Sequence, residues 1–149
     1  GVEPEANLRE TGGPGMSTYC ARADMEAIFG AKNIEAWAKR DDEDVSADVT
    51  SLISTFITWA SAEIDDYAAK QGYLIPLTTS ASVTPTTVKY LAAALAGIWL
   101  YESKGTFDID ERSGQMRHRY MPMKEWAYRV LQEIQNGDRH LDANPKVRP

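Results

Sequence analysis

The chain has a single cysteine, Cys20, among 149 residues. One thiol cannot close an internal disulfide, and Cys20 has no other ligand-type side chain at metal-site spacing. It reads as a small, semi-buried residue of a reducing cytosol. Positive charge is also scarce: 16 Lys and Arg stand against 22 Asp and Glu, a net charge of −6. A groove that follows phosphates needs clustered Lys and Arg. Nucleic acid is therefore not expected as a direct partner of the chain acting alone, although passive contact with DNA inside a larger assembly is compatible with this balance. Long apolar runs are missing too. The longest, Val88 to Tyr101, is interrupted by Lys89 and is too short to cross a bilayer, so no membrane partner is expected.

Catalytic signatures are absent as well: no GxGxxG, P-loop, GxSxG or HExxH occurs. The two histidines, His118 and His140, have no Cys, Asp or Glu at the spacing of a metal-binding helix, and both read as surface residues. Asp41, Asp42, Glu43 and Asp44 form an acidic run; consecutive carboxylates on extended chain diverge, so a solvated loop is expected. Asp65 and Asp66 are neighbours on a helix and point about 100° apart, which is no acid–base pair. Asp65 is instead expected to hydrogen-bond a Tyr or Arg across a helical bundle. The chain is not expected to be an enzyme, and no catalytic residue, cofactor or metal is assigned.

What is present suits one modest core. Hydrophobic residues make up 43%, and four Trp and seven Tyr supply large apolar surface. Residues 1–15, GVEPEANLRETGGPG, are polar and aperiodic, without the apolar run of a secretory signal. They read as a leader outside the fold, with the helical pattern starting after Met16. A first short helix is expected over Arg22–Phe29, stopped by Gly30. A second follows over Ile34–Arg40, capped by Asn33.

Ser46 is expected to cap a long helix reaching Lys70, with Val49, Leu52, Ile53, Phe56, Ile57, Ala60, Ile64 and Tyr67 on its apolar stripe. Its other face holds Thr50, Ser51, Ser54, Thr55, Thr58 and Ser61, and Asp48 is the only charge between Val45 and Ala62. Small hydroxyl residues let another surface approach closely. Ser51, Ser54, Thr55 and Thr58 are therefore candidates for a subunit or partner interface.

Gly72 then breaks the chain into an extended arm with Tyr73, Leu74, Ile75 and Leu77 around Pro76, a second candidate contact. Thr84 and Pro85 are read as cap and first residue of the next helix, to Ser103. With Lys89 the only charge from Thr86 to Tyr101, that helix must be covered nearly all round and is placed at the centre. Lys104 to Met121 reads as a long polar loop, whose Arg112, Arg117 and Arg119 are a candidate anion or acidic-partner contact. Pro122 opens a last helix to Asn136 with Met123, Trp126, Ala127, Val130, Leu131 and Ile134 inward. The expected architecture is mainly α: a small helical bundle of two short N-terminal helices, two long central helices joined by an extended arm, and a C-terminal helix. Residues 16–143 form a single domain and 144–149 a tail.

Four segments carry a resemblance: MSTYCARADMEAIFG, WASAEIDDYAAKQGYLIPL, PTTVKYLAAALAGIWLYE and KEWAYRVLQEIQNGDRHLDA. In this order they resemble a Mu-like phage protein family of unknown function, itself similar in layout to phage head–tail connector (head-completion adaptor) proteins. The pattern is a long helix ending in EIDxY (Glu63–Tyr67), a PLPL-like arm (Ile75–Leu77), an apolar helix, and a final AxRxLxxIxxG helix (Ala127–Gly137). The leader and the acidic balance depart from it. The resemblance implies a homo-oligomer, a twelve-fold ring below the portal protein that links the head to a neck or tail protein. It implies residence at the head–tail junction of the virion, and in the host cytoplasm before assembly. An alternative reading is a helical DNA-binding or regulatory protein, with Ala23 to Arg40 as a helix-turn-helix. Its second helix would offer only Glu35, Trp37, Lys39 and Arg40, which is thin for base readout.

Overall fold

The computed structural model describes residues 18–105, 108–109, 112–114 and 116–145. The leader, Met16, Asp110, Glu111 and residues 146–149 lie outside the described residues. The chain is mainly helical: α1 Arg22–Phe29, α2 Ala31–Ala38, α3 Ser46–Ala69, α4 Thr86–Lys104 and α5 Met121–Asn136, with β1 Asp108–Ile109 and β2 Met116–Arg117 between the last two helices.

The Asp24 carboxylate receives the Ala21 N–H at 2.8 Å ahead of α1. Gly30, at φ +93°, then ends α1 and starts α2 in one residue, its carbonyl receiving the Ile34 N–H at 3.1 Å. The second helix therefore opens at Ala31, not at Ile34. Asn33 is no cap; its Nδ2 donates back to the Phe29 carbonyl at 2.8 Å. Similarly, Val45 and Pro85 occupy the cap positions of α3 and α4, one residue from those expected. At Val45 the Asp48 carboxylate takes the cap residue's own N–H at 3.0 Å, whereas a Ser46 cap would have received an N–H from the first turn of the helix.

The centre is α4. Every residue from Leu91 to Ile98 is buried, and α1, α2, α3 and α5 all pack on this helix. Gly97 lets α1 come close: a Cβ there would lie 2.0 Å from Phe29 Cε2. Phe29, Trp37, Tyr101 and Tyr120 meet edge to face with centroids 5.1–5.7 Å apart, joining α1, α2, α4 and the turn into α5.

The arm is not loose. Leu74 N–H donates to the Asn144 carbonyl at 2.9 Å, and Asn144 N–H to the Thr78 carbonyl at 2.8 Å. The fold thus continues through Asn144 and Pro145, past the expected boundary at residue 143. The segment after α4 likewise differs from the plain loop expected, because β1 and β2 pair antiparallel with Asp108 opposite Arg117. No helix among the described residues is long and apolar enough to cross a membrane.

Candidate functional site

The Ser/Thr face of α3 lies at the surface in its first half. Ser51 and Ser54 are exposed, and Thr55 and Thr58 half-exposed. Thr55 Oγ1 donates to the Ser51 carbonyl and Thr58 Oγ1 to the Ser54 carbonyl, each at 3.0 Å. Both threonine O–H donors are thereby satisfied within the helix. What the threonines present outward is largely methyl, a surface another protein covers without stranding a donor. Ser61 departs from this set: it is fully buried, and its Oγ accepts the Tyr19 N–H at 3.0 Å. A groove of about 310 Å³ runs between Thr18–Arg22 and α3, floored by Ile53 and Ile57.

One residue escaped the sequence reading. Trp59 lies on α3 outside the apolar stripe, is 55% exposed, and leans edge-on against Phe56 with centroids 5.2 Å apart. A large aromatic among hydroxyl residues was the available signal.

The arm residues divide. Leu77 is fully buried in the chain's own core, which corrects its assignment to an outer surface. Tyr73 and Ile75 are partly buried against the same core, and Tyr73 Oη accepts the Leu141 N–H at 3.0 Å. Leu74 alone is well exposed, at 41%. Pairing with residues after α5 turns one edge of the arm inward and leaves Leu74 outside.

The three arginines occupy three separate stations. Arg112 is in the hairpin turn, Arg117 in β2, and Arg119 in the turn into α5, where its N–H donates to Tyr101 Oη at 3.3 Å. Their exposed side chains leave the polar segment accessible. Their neighbours are less free than the sequence suggested. Tyr120 belongs to the aromatic cluster, and Lys124 Nζ donates to Glu102 Oε2 at 2.6 Å.

His118 is not a surface residue, which corrects that reading. Its side chain is 10% exposed, and its ring packs on Tyr101. Nδ1 accepts the Tyr120 N–H at 3.1 Å, which leaves the proton on Nε2 for Glu102 Oε2 at 2.8 Å. Glu102 is 16 residues away, so no local spacing could have paired them. His140 is exposed, as expected.

Asp65 does bridge the bundle. It is 5% exposed and accepts a short hydrogen bond from Tyr19 Oη, which itself accepts the Leu77 N–H at 2.9 Å. Cys20 is half-buried, and burial first, then the nearby Asp24 charge, pushes its thiol up to about 12. Such a thiol is a weak nucleophile at neutral pH.

Two of the four residues that the helix-turn-helix reading would offer are engaged within the fold. Trp37 is buried in the aromatic cluster. Arg40 donates to the Ser103 carbonyl at 3.0 Å and to Ser103 Oγ, fastening the end of α2 to the end of α4. Among the described residues no three His, Cys, Asp or Glu side chains are grouped to hold a metal ion.

Residues 19–148 match the family model described as Bacteriophage Mu, Gp36. No curated protein matches the chain.

Proposed function

Because the chain belongs to the bacteriophage Mu Gp36 family, we propose that it is a structural protein of the virion, a head–tail connector. In this reading it assembles as a twelve-fold ring below the portal and links capsid to tail through a neck or tail protein. The observation that carries the proposal is the exposed, charge-free stretch of α3. Ser51, Ser54, Thr55 and Thr58 show no charge to solvent, and both threonine hydroxyls are bonded within the helix. A solvent-facing helix is normally covered in Glu, Lys and Arg. This face is suited to being covered by protein, with Trp59 beside it as an anchor of the type that dominates binding energy.

The connector reading asks for contact surfaces and no reaction, and these residues supply the former. The net charge of −6 suits a channel lining that DNA slides past without being held.

Electron microscopy of the purified chain, alone and mixed with its phage's portal, tests the proposal. A ring, or a layer added to the portal, is the expected result. A Ser54→Lys variant is expected to fold normally, since surface substitutions rarely shift stability by more than about 0.5 kcal/mol, yet to lose the layer. Neither ring nor layer under any condition would sink the connector role.

A further inference from the structure

Two surface features stand on different helices. On α3, Trp59 projects at 55% exposure, followed on the same side by Glu63 and Asp66 at positions i+4 and i+7. Between α1 and the first turns of α4 lies a groove of about 360 Å³, walled by Ala27, Ile28, Tyr90 and Ala93, with Lys89 at its rim. Among the described residues, Glu63, Asp66 and Lys89 make no ion pair. Asp24, also on the rim, is engaged with the Ala21 N–H.

We propose that the occupant of this groove is Trp59 of a second copy of the chain, with that copy's Glu63 meeting Lys89. The inference rests on the reading that the chain assembles with itself, and it names the contact. Three observations support it. The groove is apolar and large enough for one large aromatic side chain. The knob carries free carboxylates and Lys89 is the groove's one ammonium among the described residues, so Glu63 is drawn to the Lys89 side of the rim and away from Asp24, while knob against knob repels. Finally, Trp59 stands on α3 while the groove lies between α1 and α4, so one Trp59–groove contact leaves each copy with an unused knob or hole. Head-to-tail contacts of that kind propagate, closing into a ring where the rotation permits. A reciprocal two-fold pair would make the same contact twice and stop at two copies.

The test uses the full chain with Cys20→Ser, carrying either Glu63→Cys or Lys89→Cys. Each substitution removes one partner of the Glu63–Lys89 pair but leaves Trp59 and the apolar groove walls in place, so insertion of the aromatic ring alone has to bring positions 63 and 89 together. A short bis-maleimide added to a concentrated equimolar mixture is expected to join position 63 of one copy to position 89 of another, in preference to 63–63 or 89–89. Adding Trp59→Ala to the Glu63→Cys chain is expected to weaken the association roughly 30-fold, as for a buried aromatic anchor, with an unchanged helical spectrum. Dominant 63–63 or 89–89 products, no cross-link at all, or a 63–89 yield indifferent to Trp59→Ala would each overturn the proposal. Rings or a portal layer in the microscope without the 63–89 product would leave assembly intact and remove only this contact.

Discussion

Removing one oxygen atom, in Tyr19→Phe, tests how the N-terminal segment and the arm are held. Tyr19 Oη donates to the Asp65 carboxylate and accepts the Leu77 N–H at 2.9 Å. The three residues are 3%, 5% and 0% exposed, so water cannot readily replace the hydroxyl. Phenylalanine keeps the ring and its packing. It deprives a buried carboxylate of a donor and strands a buried amide. Each such loss costs about 1–3 kcal/mol, and about 2–4 kcal/mol is expected in total after partial relaxation. With a urea slope of about 1–3 kcal/mol/M for a small protein, the midpoint should fall by about 1–2 M with the slope unchanged. Tyr73→Phe is the control. That hydroxyl also accepts one amide, Leu141, but is only part-buried, so water can step in and the cost should be under about 1 kcal/mol. Amide exchange at Leu77 should accelerate in Tyr19→Phe and not in Tyr73→Phe. Equal costs for the two variants, or a Tyr19→Phe midpoint within 0.3 M of the parent (roughly the error of such extrapolations), would refute the reasoning.

Gly97→Ala should destabilise the chain by about 1–3 kcal/mol, the usual cost of overpacking, although alanine favours helix. The added Cβ would sit 2.0 Å from the Phe29 ring; thermal unfolding measures the loss, and Phe29→Leu in the same chain should recover part of it. Cys20, with its thiol raised from 9.0 to about 12, should react with a disulfide reagent at pH 8 at least about 100-fold more slowly in the folded chain than in urea. The native rate should keep climbing between pH 9 and 11, where the unfolded chain levels off. The sign for stability follows: the unfolded state gives up this proton first, so raising the pH from 9 towards 12 weakens the fold.

The periodicity of apolar residues was enough to place the five helices of the described residues, and the shortage of charge from Thr86 to Tyr101 was enough to put α4 at the centre. These are local properties: a helix with no polar face has to be surrounded, whatever surrounds it. Helix starts were legible only to within one to three residues, because Gly30, Val45 and Pro85 stand at the cap positions where Asn33, Ser46 and Thr84 were expected. The exposure of Ser51 and Ser54 was readable from the stripe opposite them. That of Trp59 was not read, because a tryptophan counts as core until its position on the helix is weighed against its neighbours.

Other features depend on residues far apart in the chain meeting in space, and only the tertiary structure decided them. Leu77 reads as surface in an arm of extended chain, yet Tyr19, 58 positions earlier, holds its amide in the core. His118 reads as a loop residue, yet Glu102 and Tyr101 on α4 enclose it. Asn144 reads as tail, yet it completes the pairing of the arm. Hydrogen bonds of this kind carry no periodic trace in sequence, because partner and spacing are set by how the helices cross. The groove between α1 and α4 is of the same origin: neither helix has it alone, and it exists only where the two pack side by side.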